Sequence, residues 1–236
     1  MDQMQVLVVT SDYPPEVGGM AEYSDAWCRE LADQGFDVSV INQTSSPATE
    51  GRNPAIPSET VTWPQSPRLF PLYAYQTLKT ALELKKPDFV FAHTWIGWAP
   101  ALSYLKGKMQ GLKYVVSAHG AEIIGPAQST YYRFLMKTGL KGADLILPVS
   151  QFTAEHVSQL GISKERIRVV GNGVDIQKYN STTPSPELLR KYKLENCQIL
   201  LTVGALVERK GHDVVIRALA KIKDDYPKLR YLICGG

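Results

Sequence analysis

Cysteine is scarce here. Cys28, Cys197 and Cys234 are the only three in 236 residues, too widely spaced for a metal knuckle and odd in number for a disulfide framework. They are expected as buried thiols in a reducing compartment. No apolar run approaches the roughly 18 residues of a membrane span, and the chain passes straight into a strand-like run at residues 5–10 without the regions of a leader peptide. The expectation is a soluble protein, peripheral to a membrane at most. Charge of one sign is also lacking: 26 Lys and Arg against 23 Asp and Glu leave a net charge of +3. Nothing in that balance calls for a nucleic-acid partner, and the small excess supports only a slight preference for anionic substrates or lipid headgroups. What is present is a hydrophobic content of 44%, ordinary for a globular chain, and length enough for one large or two small domains.

Strand-like runs fall at residues 5–10, 37–41, 89–92, 113–118, 144–149 and 167–170. Between them lie helical stretches at 20–34 (with Gly35 as a stop signal), 69–84, 99–110, 131–140 and 152–160, the last with Ser150 as a candidate cap. Strands alternating with helices predict an open parallel sheet covered on both faces. Residues 42–67, rich in Pro, Ser and Thr, read as a long irregular loop. Residues 180–186 (NSTTPSP) read as an interdomain linker. A second strand–loop–helix–strand unit follows, with a buried strand at 199–203, a helix after Gly211 and a strand at 229–234. The expected division is 1–180 for a first domain, 181–196 for linker and short helix, and 197–236 for the start of a second domain. Two parallel strands need more neighbours and helices on both faces, so this second part is expected to be incomplete.

Several segments could carry chemistry. Gly18 and Gly19 open the first helix directly after the first strand; without β-carbons they let a ligand approach, and the helix start favours an anion. A plain turn feeding a helix accounts for them equally well, and the third glycine of a dinucleotide fingerprint is missing. In open parallel sheets ligands sit beyond the carboxyl ends of the strands. His93 and His119 both stand there, and Glu122 follows on a loop where its carboxylate could accept bonds from sugar hydroxyls or simply be solvated. Asn172 and Gly173 form a candidate turn with positive φ. Arg209 and Lys210, framed by Gly204 and Gly211, follow a strand end in the second unit and could meet a diphosphate. Residues 131–141 place Arg133, Lys137 and Lys141 on one helical face beside Tyr131 and Phe134; this is a solvated basic face or a contact for anionic lipid.

In order, Gly18-Gly19-Met20-Ala21, Ser117-Ala118-His119-Gly120, Pro148-Val149-Ser150, Asn172-Gly173-Val174-Asp175 and the segment 203–211 (VGALVERKG) resemble the retaining family 4 glycosyltransferases of GT-B fold. The resemblance implies an α/β fold of GT-B type: an N-terminal Rossmann-like parallel sheet with helices on both faces, on the acceptor side, and the first βαβ unit of a second Rossmann-like domain that binds the nucleotide-diphosphate sugar donor. It implies transfer of a hexose to a glycan or lipid-linked acceptor with retention of configuration, without a metal ion or other cofactor. Gly18 and Gly19 would approach the donor, His119 would lie by the reacting sugar, and Arg209 with Lys210 would neutralise the diphosphate leaving group. His93, Glu122, Asn172 and Gly173 complete the candidate donor-binding set. The expected location is cytoplasmic, with peripheral contact at the inner face of the membrane through the helix from Tyr131 to Lys141. Many relatives have arginine where this chain has Ala205, and the family's C-terminal glutamate pair is expected beyond Gly236. Residues 1–236 alone are therefore expected to turn over negligibly. A nucleotide-sugar epimerase on similar architecture and a noncatalytic glycan- or lipid-binding fragment are the alternatives.

Overall fold

The computed structural model describes residues 3–44, 54, 56–63, 66–125, 129–177, 179 and 183–235. The chain forms two compact units, Met1–Gly173 and Val174–Gly236. The division falls upstream of the expected linker, most of whose first residues, Asn180, Ser181 and Thr182, lie outside the described residues.

The first unit is built on six parallel strands: β1 (Gln5–Thr10), β2 (Asp37–Thr44), β3 (Ser58–Thr62), β4 (Phe89–Ala92), β5 (Tyr114–Ala118) and β6 (Leu145–Pro148), in the order β3-β2-β1-β4-β5-β6. Among the described residues the helices α1 (Gly19–Asp33), α2 (Phe70–Lys85), α3 (Trp98–Lys106), α4 (Ala121–Ile124), α5 (Thr130–Gly142) and α6 (Gln151–Ser158) belong to the first unit, and α7 (Pro186–Lys191) to the second. β1 shows why both faces must be covered. Its side chains alternate between two apolar layers: Leu7 and Val9 join the larger cluster with α2, α3 and α5, whereas Val6 and Val8 join Cys28 of α1 and Phe91 of β4 on the other face. Close approach of α5 to α3 depends on Gly139, where a β-carbon would come within 2.8 Å of the Ala99 backbone. The expected Ser150 cap forms, with its hydroxyl accepting the Thr153 N–H at 3.1 Å.

Four sequence expectations need correction. The stretch 42–67 is not one irregular loop, because β2 continues to Thr44 and the β-branched run Thr60, Val61 and Thr62 adds the edge strand β3; residues 45–53 lie outside the description. Residues 167–170 form no strand. Ile167 makes a single bridge to Ile146, and although the N–H groups of Arg168 and Val170 donate to β6, Pro148 has no N–H with which to complete the ladder. Glu122 lies in the one-turn helix α4 rather than on a loop. Of the three cysteines only Cys28 is buried, its thiol pushed up to about 12 by burial, while Cys197 is half-buried and Cys234 exposed.

The second unit carries α7, β7 (Gln198–Val203), α8 (His212–Ile222) and β8 (Leu229–Cys234), with β7 and β8 parallel. The strand expected at 199–203 forms, but not as a buried one: Leu201 and Val203 are 59% and 74% exposed. Two strands with the single crossover helix α8 between them cannot cover both faces of a parallel sheet. Gly235 passes so close to Gly204 that a β-carbon would collide with its carbonyl.

Candidate functional site

In the first unit β1 lies between β2 on one side and β4 on the other, so the chain reverses its direction of winding at the β1–β4 pair. Ligands of open parallel sheets sit beyond the strand ends at such a point. Thr10, His93 and His119 stand at or just past the ends of β1, β4 and β5. Helix α1 packs against them, Tyr23 meeting both histidine rings and Ser24 Oγ lying 3.0 Å from Thr10 Oγ1.

His119 is held from three sides. Its backbone N–H donates to the Glu122 carboxylate, and Gly120, at φ +114°, makes the bend into α4 that only glycine adopts easily. The ring Nε2 lies 3.0 Å from the His93 carbonyl oxygen. A carbonyl only accepts, so Nε2 carries the proton and the neutral ring keeps its lone pair on Nδ1. Third, the Tyr23 ring stands at 90° to the imidazole with centroids 4.5 Å apart. Burial lowers the pKa of His119 below its ordinary value of 6.5, against the opposing pull of Glu122, the His93 carbonyl and Asp12. The ring is thus neutral near pH 7, a hydrogen-bond acceptor at Nδ1.

His93 does not face outward as the sequence suggests. It is fully buried, edge-on to Phe91 and Tyr23, and among the described residues neither ring nitrogen has a hydrogen-bond partner. Burial, reinforced by His119, pushes its pKa down to about 3. Its contribution to the site is its carbonyl. Glu122 likewise turns inward: its carboxylate serves the His119 backbone and its carbonyl accepts the Trp95 indole N–H at 2.8 Å.

Gly18 and Gly19 begin α1, whose N-terminus has no side-chain cap. The loop before them is anchored, with the Tyr13 hydroxyl donating to the Ile56 carbonyl at 2.9 Å and Thr44 donating to Glu16 at 2.9 Å. Gly18 has an extended backbone, φ 169°, which any residue adopts, and a β-carbon at either glycine would meet nothing within 4 Å. Neither backbone conformation nor protein packing therefore requires glycine at these positions. Asn172 and Gly173 form no turn; residues 171–175 run without regular structure, and neither Gly171 nor Gly173 lies in the left-handed region that favours glycine. Just upstream, the Val170 N–H still donates to the Pro148 carbonyl of β6.

In the second unit Arg209 and Lys210 lie in a short 3-10 turn, Glu208–Lys210, that leads through Gly211, at φ +67°, into α8. The Lys210 stem lies over Gly204, within 3.6–3.9 Å of where a β-carbon would be. Backbone bonds from Lys210 to Val207 and from Gly211 to Glu208 fix the turn, and His212 Nε2 lies 3.0 Å from the Ala205 carbonyl. Both cations are exposed, and among the described residues neither is paired with a carboxylate.

Sequence reasoning missed Tyr23 and Ser117. Both left a signal: Tyr23 is one helical turn beyond Gly19, and Ser117 is two residues before His119, hence on the same side of β5.

A family model described as Glycosyltransferase Family 4 matches residues 17–178, and one described as Glycosyl transferases group 1 matches residues 185–236. The chain is 26% identical over 240 aligned residues to a GDP-mannose-dependent monoacylated alpha-(1-6)-phosphatidylinositol monomannoside mannosyltransferase of Corynebacterium glutamicum, covering 98% of this chain and 61% of that protein. It thus spans about three-fifths of the length of the curated relatives it matches. Among solved structures, an Anabaena protein, HepE, in complex with UDP-glucose superimposes with a TM-score of 0.72 at 19% identity, covering 98% of this chain and 60% of that one. Sucrose-phosphate synthase from Thermosynechococcus elongatus superimposes with a TM-score of 0.74 at 17% identity, covering 99% and 63%. At these identities the structural likeness establishes the fold, that of GT-B glycosyltransferases.

Proposed function

Since the chain belongs to Glycosyltransferase Family 4, we propose that, on a chain of its relatives' length, it transfers a hexose from a nucleotide-diphosphate sugar to a glycan or lipid-linked acceptor with retention of configuration. The observation that carries this reading is the neutral, fixed His119 ring beyond the sheet edge, beside an uncapped helix start whose two glycines face open space. A lone pair on Nδ1 suits a sugar hydroxyl, and free backbone amides suit a phosphate. Arg209 and Lys210 receive the charge that develops on the departing diphosphate, which in turn takes the acceptor proton. The protein's task is then positioning and electrostatic stabilisation, with no resident metal or cofactor. The name of the Corynebacterium relative supports GDP-mannose as the first donor to try. The test is acceptor-dependent release of nucleoside diphosphate: a chain of the relatives' length transfers, and residues 1–236 alone transfer negligibly. Free sugar or an epimer appearing without acceptor would count against it.

Gly18→Val separates ligand approach from folding. With an extended backbone and no neighbour within 4 Å, valine at this position is expected to leave the melting temperature essentially unchanged. Donor affinity, read by calorimetry, is expected to fall at least about tenfold, the effect of losing one good hydrogen bond to a charged group. Unchanged affinity would mean the glycines form only a turn.

Acceptor delivery from a membrane surface is part of the proposal. Among the described residues no helix is long and apolar enough to cross a membrane. On α5, Tyr131 and Phe134 are 43% and 65% exposed beside the exposed Arg133, Lys137 and Lys141. This face suits binding in the interfacial plane. The protein is expected to sediment with anionic vesicles and not with neutral ones, and to lose that binding when the three cations become glutamate. Equal behaviour with both vesicle types would leave α5 a solvated helix.

A further inference from the structure

The ring of Tyr23 touches both histidines of the site, yet its hydroxyl points to neither. It is edge-on to His119 at 4.5 Å and to His93 at 5.5 Å, and its oxygen lies 2.7 Å from Ser117 Oγ on β5. Trp27, one turn further along α1, stands edge-on to Tyr23 at 6.3 Å and to Phe91 at 5.2 Å. Tyr23 therefore has no free rotation: the Ser117 bond fixes one end of the side chain and the aromatic contacts fix its ring. An imidazole hydrogen-bonded through one nitrogen can still swivel about that bond or flip to place its other nitrogen there. Against a fixed perpendicular ring both motions meet steric resistance.

We infer that Tyr23, anchored by Ser117, is the positioning residue that fixes the orientation and the Nε2–H tautomer of His119. The inference deepens the proposed role of His119 and rests on that reading for its functional meaning. It connects the two ends of the site in one rigid piece. Gly19 and Tyr23 share a face of α1, so a ligand seated on the helix start and one meeting His119 are referred to the same helix. Among the described residues, the groups facing the His119 ring or its backbone are Tyr23 from α1, Asp12 after β1, His93 after β4 and Glu122 from α4. Of these, only Tyr23 restrains the ring without carrying charge near neutral pH or offering a hydrogen bond to it. That makes its effect separable.

The experiment is nitrogen-15 NMR of histidine-labelled residues 1–236, with the His119 signals assigned by their loss in His119→Gln. No donor is needed, so the result stands whether or not sugar transfer is found; failure of the transfer reading would appear in the turnover assay alone. In the unaltered protein His119 is expected as a single Nε2–H form that titrates below 6.5. In Tyr23→Leu the Nδ1–H form should rise from a trace to a comparable population, and the titration midpoint should move up toward 6.5 as water reaches the ring. Tyr23→Phe, which keeps the ring, should retain most of the native state, and Ser117→Ala should shift it in the same direction as Tyr23→Leu but less. The signals of the other three histidines report folding. If Tyr23→Leu is folded and His119 keeps its tautomer and midpoint, Tyr23 is packing only and the inference is overturned. If Tyr23→Leu does not fold, Ser117→Ala decides, and an unchanged His119 there overturns it equally.

Discussion

Replacing Arg209 and Lys210 together by alanine is expected to lower kcat/KM for the nucleotide-sugar donor by about a hundredfold or more, in a chain long enough to turn over. A charge-assisted hydrogen bond contributes about 1.5–3 kcal/mol, so the two cations together govern at least two decades of affinity for the leaving group. Their position strengthens the expectation. Both are exposed and unpaired with carboxylates among the described residues, so alanine here should remove charge without breaking an internal ion pair. Ala205 in the same loop has no charge with which to share the load. The check is steady-state kinetics with the donor varied, beside a melting curve. Ordinary rates in the double variant would remove these residues from the mechanism; a large drop in melting temperature would show instead that the turn is structural.

Acid should unfold the first unit through His93. A neutral imidazole buried with both nitrogens unpaired resists protonation, and its pKa falls from the ordinary 6.5 to about 3. The unfolded chain therefore binds the proton first as pH falls. Stability tied to His93 is fully present above about pH 6.5 and is lost progressively as pH drops toward 3. At one pKa unit per 1.36 kcal/mol, denaturation at pH 4.5 should find the protein less stable than at pH 7 by about 2–3 kcal/mol from this residue. Carboxylates add slopes of their own, so the informative quantity is the difference from His93→Leu. That variant should be at least as stable at pH 7, since no hydrogen bond of the side chain is lost, and should show a flatter profile between pH 4.5 and 6.5. Parallel profiles would mean that His93 finds a partner in solution.

Much of this architecture can be read from residue types alone. Alternation of Val6, Leu7, Val8 and Val9 fixes which side of β1 meets which helices, and the helix between Gly18 and Gly35 is bracketed by its own punctuation. The strand ends then follow, and with them the placement of His119 next to the switch point. Other features depend on partners distant in sequence. β3 is an edge strand whose pairing with β2 only the fold supplies. The run 167–170 has strand-like residues but faces Pro148, which cannot answer its carbonyls. His93 looks like His119 in sequence, and Tyr23 of α1 packs on both rings, yet His93 is sealed by Phe91 as well while His119 stays half-buried. Glu122 illustrates the same limit: a carboxylate just past a strand end suits a sugar hydroxyl, but the nearer backbone N–H of His119 claims it. Apolar periodicity identifies β7 and α8 correctly and still overstates the burial of β7, because burial depends on layers that these residues do not themselves provide.

The proposed sugar transfer with retention is decided by the anomeric configuration of the product. A chain of the relatives' length is incubated with GDP-mannose and with UDP-glucose, each with and without glycan and lipid-linked acceptors. Nucleoside diphosphate release is followed, and the anomeric configuration of the product is read by NMR. The account predicts release that requires acceptor, and a glycoside with the configuration of the donor. Inverted product, or turnover to free sugar or epimer that is indifferent to acceptor, would contradict it.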